Sequence, residues 1–195
     1  MTLETTKALD RLLEGNQRFV EGRSQLHSMT TYGVEVAAGQ SPFAVVLGCS
    51  DSRVPVETIF DQEPGKIFVI RVAGNIVNDD GLGSIEYAVD LFKAPLVLVL
   101  GHSGCGAVAA AIQQVERGTH FPGHIARLVS TIAPAAASTR HLPDAYDAAI
   151  AENVRRNVVE LTSRSPLLAE AAGSGNVAIA GAVYDLKTGK VSLID

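Results

Sequence analysis

The sequence predicts an α/β fold, with a mainly parallel sheet of four strands plus one antiparallel edge strand, flanked by helices. One observation behind this prediction is a set of short, continuous apolar runs, which are typical of strands buried on both faces. Another is that these runs alternate with stretches of helical apolar spacing, as right-handed crossovers between parallel strands require. The runs are Phe43–Gly48, Ile67–Val72, Leu96–Leu100 and Asn176–Tyr184.

The helices are predicted from apolar residues that recur at intervals of three and four. Leu3–Glu21 shows this spacing among charged residues and favours an amphipathic N-terminal helix with a break near Gly15. The apolar face of such a helix needs a neighbour to pack on. Further helical stretches are Gly83–Phe92, Gly106–Arg117, Ile125–Ala137 and Asp144–Ser163.

The C-terminal end predicts a hairpin. Turn residues over 185–189 separate the run that ends at Tyr184 from a short final run, Val191–Ile194. Because the two strands of a hairpin are antiparallel, the final run supplies the antiparallel edge strand of the sheet.

Composition limits the classes of partner. The 195 residues are 47% apolar and 19% charged, which is enough for one sizeable core, and no repeat or linker divides them. We therefore expect one domain over 1–195. The net charge is −5, and the scattered positive residues form no basic face for nucleic acid or anionic lipid. No apolar run approaches the length of a signal peptide or a membrane span, so we expect a cytoplasmic protein.

Two segments carry potential metal ligands, and each begins where a predicted strand ends. The first is Cys49–Val54 and the second is Gly101–Gly106. In open α/β sheets, ligands bind in the crevice outside the carboxyl ends of the strands, where the strand order reverses. We therefore expect loops from two neighbouring strands to converge there.

Cys49, His102 and Cys105 predict a zinc site in this crevice. Thiolate and imidazole ligands together suit zinc, and His102 and Cys105 are spaced to hold one ion from a turn that leads into a helix. A chain of this size with only two cysteines does not need a disulfide. Three protein ligands leave a fourth position open, which is typical of catalytic rather than structural zinc.

Two other interpretations of these segments remain. The cysteines are small enough to serve as ordinary buried residues, and His102 as a core histidine. Alternatively, the glycines of 101–106 at a helix N-terminus would suit a phosphate group. That segment lacks the lysine of a phosphate-binding loop, however, and leaves His102 and Cys105 unused.

Asp51 and Arg53 lie two residues apart directly after Cys49. A guanidinium can clasp a carboxylate with two hydrogen bonds and hold it ionised and oriented. Beside a zinc ion, the carboxylate would either accept a hydrogen bond from the water at the open position or occupy that position itself. The simpler alternative is an ion pair that stabilises the loop.

Together, these segments resemble the paired motifs of the β-class carbonic anhydrases. The resemblance covers most of the chain, since Glu14–Phe19, Gly83–Tyr87, Asn153-Val154 and Gly181–Asp185 also resemble segments of that family. It implies that Cys49, His102 and Cys105 hold one zinc ion per subunit. It also implies that Asp51 and Arg53 form a catalytic pair beside the metal.

The resemblance implies further features that spacing does not reveal. Gln40, Phe68 and Tyr87 correspond to residues that line the carbon dioxide pocket, partly across a dimer interface. Without the family resemblance, Phe68 and Tyr87 would be interpreted as packing residues. Residues 1–40 correspond to a helical arm whose N-terminal helix packs on a partner subunit. The expected assembly is a homodimer, and assembly into a tetramer stays open because the chain ends at Asp195, directly after the last strand.

The implied reaction is the reversible hydration of carbon dioxide to bicarbonate and a proton, by attack of zinc-bound hydroxide. Tyr87, and His120 or His124 in the loop after the metal-binding helix, are candidates for carrying the proton away. Two alternatives remain. One is hydrolysis of carbonyl sulfide or carbon disulfide by the same ligands, and the other is a non-catalytic zinc-binding protein of the same fold.

Overall fold

A computed structural model describes residues 2–25 and 37–194 of the chain. Its five strands form one sheet with the order β2-β1-β3-β4-β5, in which β1 to β4 are parallel and β5 runs antiparallel to β4. The predicted sheet is therefore confirmed. The strands are β1 (Ala44–Gly48), β2 (Ile67–Arg71), β3 (Leu96–His102), β4 (Ala178–Tyr184) and β5 (Val191–Ile194).

Helices cover both faces of this sheet. The central strands β1 and β3 are buried along their whole length, because alternate side chains enter different apolar clusters on the two faces. No helix of the described ranges, 2–25 and 37–194, is long and apolar enough to cross a membrane. The helices are α1 (Leu3–Val20), α2 (Val56–Ile59), α3 (Asp79–Leu91), α4 (Gly106–Arg117), α5 (Gly123–Thr139), α6 (Ala145–Arg164) and α7 (Pro166–Gly173).

The predicted break of the N-terminal helix at Gly15 is wrong, since α1 continues through this position. Gly15 is buried against the turn after α2. A Cβ atom built there would lie 1.9 Å from the carbonyl oxygen of Phe60, so the position has no room for a side chain. The glycine thus permits a close approach between α1 and this turn rather than ending the helix.

Other differences lie at the ends of the predicted elements. The helix predicted to begin at Gly83 begins at Asp79, because the Asn78 side chain accepts a hydrogen bond from the backbone N–H of Gly81 and caps it. Three short elements were not predicted. They are α2, α7 and a 3₁₀ turn over Ala73–Asn75.

The chain order places a topological switch point between β1 and β3. From β1 the chain crosses to β2 on one side, and then returns to place β3 on the other side of β1. The loops after β1 and β3 therefore diverge at the carboxyl edge of the sheet and leave a crevice between them. This crevice is where the sequence predicts the ligands to meet.

Candidate metal centre

The ligand atoms of Cys49, His102 and Cys105 lie within 4.8 Å of one another, and all three residues are buried. Cys49 follows the last residue of β1, and His102 is the last residue of β3. Cys105 is the residue directly before the first turn of α4. The structure thus brings the predicted ligands of two loops together at the switch point.

His102 presents one ring nitrogen to this cluster. Its Nδ1 lies 2.9 Å from the carbonyl oxygen of Ser103, which can only accept a hydrogen bond, so Nδ1 carries the proton. Its Nε2, with a free lone pair, is fully buried and has no hydrogen-bond partner in the described part of the chain. A buried acceptor without a partner is costly, and a metal ion between His102 and the two sulfurs would remove that cost.

The thiols of Cys49 and Cys105 influence each other. A hydrogen bond from the Cys105 thiol lowers the pKa of Cys49 to about 4; burial opposes this effect, and the backbone N–H of Gly74 adds to it. The same hydrogen bond raises the pKa of Cys105. Because a metal ion binds thiolates, an ion held here would displace the thiol proton and bind both sulfurs.

Asp51 and Arg53 form the predicted clasp. Arg53 Nε lies 2.9 Å from Asp51 Oδ1, and Arg53 Nη2 lies 2.7 Å from Oδ2. These hydrogen bonds hold the pKa of Asp51 well below its usual range. Asp51 Oδ2 also lies 3.9 Å from His102 Nε2, so the ionised carboxylate borders the ligand cluster. If the three residues hold a metal ion, this carboxylate is close enough to accept a hydrogen bond from a molecule bound to it.

Arg71 and Gly74 also support the cluster, and neither was predicted. Arg71, at the end of β2, donates from Nε to the carbonyl oxygen of Cys49 at 2.9 Å and from Nη2 to that of Asp51. Gly74 donates its backbone N–H to Cys49 Sγ at 3.3 Å. The only sequence signal for Arg71 was a charged residue at the end of an apolar run, and Gly74 offered none.

The predicted carbon dioxide residues lie elsewhere in this chain. Phe68 pairs with Val45, four positions before Cys49 in the parallel register, which is roughly 13 Å along the strand direction. Gln40 is exposed and precedes the amino end of β1, whereas the cysteine follows its carboxyl end. These side chains and the ligand cluster therefore lie towards opposite ends of β1.

Tyr87 joins Phe68 and Phe92 in an aromatic patch at the β2 edge of the sheet. The Phe68 and Tyr87 rings stack with centroids 6.4 Å apart, and the Tyr87 and Phe92 rings meet edge to face at 5.5 Å. Tyr87 is 50% exposed and Leu91, one turn later on α3, is 58% exposed. Phe68 and Phe92 are half-buried against the core, so the exposed part of the patch is Tyr87 together with Leu91.

The histidine candidates for proton transfer are both outside the cluster. His120 lies in the loop after α4, as predicted, but His124 lies in the first turn of α5 rather than in that loop. His124 lines a surface cavity of about 380 Å³ together with Val72 and Ile76. Ile76 belongs to the apolar cluster that contains Cys49, and Val72 packs against that cluster, so the cavity adjoins the candidate metal centre from outside.

Comparison with known sequences identifies relatives of the whole chain. The family model described as carbonic anhydrase matches residues 44–191. Carbonic anhydrase 2 of Mycobacterium tuberculosis is 42% identical over 186 residues, which cover 94% of this chain and 90% of that protein. The carbonic anhydrase of Mycolicibacterium smegmatis is 40% identical over 187 residues, which cover 93% and 89% of the two proteins.

Solved structures agree with these relatives. The β-carbonic anhydrase of Coccomyxa in complex with acetazolamide superposes with a TM-score of 0.75 at 31% identity, over 95% of this chain and 86% of that one. A tetrameric β-carbonic anhydrase of Sordaria macrospora gives a TM-score of 0.74 at 25% identity, over 96% and 97% of the two chains. Sequence and fold therefore point to one family.

Proposed function

We propose that this chain, which belongs to the β-class carbonic anhydrase family, hydrates carbon dioxide reversibly with one zinc ion held by Cys49, His102 and Cys105. The observation that carries the proposal is the cluster of two sulfurs and an unpartnered imidazole nitrogen, buried and within 4.8 Å of one another. Two thiolates and one imidazole are a donor set typical of zinc. When bound, zinc acidifies a coordinated water and makes it a nucleophile at ambient pH.

Asp51 and Arg53 would orient the reacting molecules rather than perform strong base chemistry. A carboxylate whose pKa is held low by Arg53 stays ionised at ambient pH, so it accepts hydrogen bonds but is a weak base. Its two oxygens are both engaged by the guanidinium, which fixes the plane of the carboxylate. The clasp favours the arrangement in which Asp51 stays off the metal and leaves the fourth position to the substrate water.

Gln40, Phe68 and Tyr87 would bind carbon dioxide at the metal centre of a second subunit. Within one chain they lie away from the ligand cluster, and Tyr87 and Leu91 are exposed, so a homodimer would bring the three residues to a metal centre and bury this exposed surface. The apolar rings would hold the substrate, and the Gln40 amide would donate a hydrogen bond to a substrate oxygen. A tetramer formed from two such dimers is an extension of the same assembly.

Metal analysis and stopped-flow hydration, measured on one preparation, test this function. We expect about one zinc per chain, because the three ligands form one site, and hydration well above the buffer rate. Cys49→Ser, which replaces a thiolate by a hydroxyl, should lose both the bound zinc and the hydration activity. A wild-type protein with a full zinc complement and no hydration activity would overturn the proposal, as would a Cys49→Ser protein that keeps zinc and full activity.

Hydrolysis of carbonyl sulfide or carbon disulfide uses the same ligands, so the same preparation should be tested for sulfide release. The curated relatives described above are named for carbonic anhydrase activity, which favours hydration. We expect hydration to be much the faster reaction. Faster sulfide release would reassign the substrate, and zinc binding without either activity would leave a non-catalytic zinc protein.

A further inference from the structure

The backbone segment that donates to Cys49 has an unusual conformation. In the 3₁₀ turn Ala73–Asn75, Gly74 has φ 74° and Asn75 has φ 46°, so two consecutive residues are left-handed. A Cβ atom built on Gly74 would lie 2.5 Å from Ile132 Cδ1 and 3.1 Å from Ala107 Cβ, so both the space and the backbone conformation suit glycine here. Such conformations persist only where the surrounding structure holds them, and they concentrate at functional sites.

Two buried asparagines of α6 hold this turn and the residues that follow it by hydrogen bonds. Asn153 Nδ2 donates to the carbonyl oxygen of Gly74 at 2.8 Å. Asn157 Oδ1 accepts the backbone N–H of Val77 at 2.7 Å, and Asn157 Nδ2 donates to the backbone oxygen of Asn153 at 2.7 Å. The two amides lie one helical turn apart and bind both ends of the segment 74–77.

We infer that Asn153 is a positioning residue for the metal ligand Cys49 and acts through Gly74. The carbonyl of Gly74 accepts from Asn153 and its N–H donates to Cys49 Sγ, so one residue transmits the contact from α6 to the thiolate. The inference rests on the proposed metal site. Hydrogen bonds to a ligating thiolate fix its direction and reduce the charge that it donates to the metal.

Satisfying a buried carbonyl is the simpler role for an asparagine at this position, and the chain supplies a control for it. Asn16 of α1 is equally buried and donates to the carbonyls of Ile59 and Gly189. It also accepts the N–H of Val191. Asn16 therefore has the same structural task without a contact to the metal centre. Only a positioning role predicts that the two asparagines differ in their effect on the metal.

The experiment compares Asn153→Leu and Asn16→Leu with the wild type, each stripped of metal and reloaded with cobalt or zinc. Both substitutions should lower the melting temperature, because each leaves buried backbone groups unpaired. Asn153→Leu alone should weaken zinc affinity about tenfold or more, measured by competition with a chromophoric chelator. It alone should also shift the thiolate-to-cobalt absorption to lower energy, because a sulfur that has lost a hydrogen bond donates more readily.

The outcomes separate this inference from the proposed function. A wild type that binds neither metal refutes the metal site itself. A wild type that binds both, with equal affinity and equal spectra in the two variants, refutes the role of Asn153 and leaves the metal site standing. If Asn153→Leu does not fold, Asn153→Ser replaces it, since the shorter hydroxyl does not reach Gly74, and the same comparison with Asn16→Ser decides.

Discussion

The two ends of β1 differ in how complete they are. At the carboxyl end, Cys49, His102 and Cys105 are buried, mutually close and held by hydrogen bonds from their own chain. Near the amino end, Gln40 is exposed, and Tyr87 of the aromatic patch is 50% exposed. One chain thus supplies the complete ligand cluster, whereas it does not bring the proposed substrate residues to that cluster.

This difference separates metal binding from catalysis. A single folded chain has everything that the proposed zinc site needs, so metal binding should be independent of assembly. Substrate binding should require a second copy, because only another chain can bring Gln40 and the patch to a metal centre. Substitutions at the two ends of β1 should therefore have different signatures in metal content, oligomeric state and rate.

The largest effect is expected from His102→Ala. Removing a ligand from a three-ligand site should abolish zinc binding. Without the metal, the transition state for hydration loses several kcal/mol of stabilisation, so the hydration rate should fall by about 10³-fold or more. Zinc content and stopped-flow hydration measure both. His141→Ala is the control, because this exposed histidine lies outside the cluster and should change neither quantity. Zinc retained by His102→Ala would contradict the assignment of the ligands.

Arg53→Ala should leave the metal in place but lower the rate by about 10²-fold, because an unclasped carboxylate is misplaced at the reacting centre. The clasp holds the pKa of Asp51 below its usual range, so removing it returns that pKa towards its ordinary value. Asp51 would then take up a proton at a higher pH than in the wild type, and the loss of rate should deepen as pH falls.

A pH profile of hydration at constant zinc content tests this. Arg156→Ala is the control, since Arg156 pairs with Glu152 on the outside of α6 at 2.8 Å and lies outside the metal centre. A profile for Arg53→Ala that is parallel to that of the wild type would show that the clasp only stabilises the loop.

The sequence predicted the clustering of the candidate ligands because the ends of parallel strands can be read locally and lie at one edge of a sheet. Apolar runs end at Cys49 and His102, and parallel strands place their carboxyl ends at one edge of a sheet. The supports of the site depend instead on tertiary contacts. Gly74 is 25 residues from Cys49, and Asn153 is 79 residues from Gly74, so no spacing rule links them.

Gly15 shows a second limit of sequence reasoning. Glycine serves both to free the backbone and to leave space, and these uses look the same in a sequence. The helical spacing around Gly15 was correct, but the break was inferred from the glycine alone. Only the position of the Phe60 carbonyl shows that the residue is small for reasons of packing.

Leu91→Glu should split the assembly without disturbing the metal. Leu91 is 58% exposed one helical turn from Tyr87, so a carboxylate there would be buried against the second copy and disfavour association. We expect a smaller particle in sedimentation and unchanged zinc content, since burying an unpaired carboxylate in an interface is costly. The rate should fall by about tenfold, because separated chains lack the substrate residues of a second copy. Val159→Glu, at a position 64% exposed on α6, is the matched control. Dissociation in both variants, or in neither, would place the interface elsewhere.

The smallest effect is expected from Tyr87→Phe, which keeps the ring and removes only the hydroxyl. The ring packs against Phe68 and Phe92, whereas the hydroxyl makes no hydrogen bond with any residue that the structure describes. Assembly and zinc content should therefore be unchanged. If the hydroxyl contacts substrate or passes a proton at the partner's metal centre, one neutral hydrogen bond is lost, and the rate falls by about threefold to tenfold. Varying the buffer concentration separates the two cases, because only a lost proton path is restored by added buffer. A rate equal to that of the wild type would limit Tyr87 to packing, and the proposed pocket would then depend on Gln40 and Phe68.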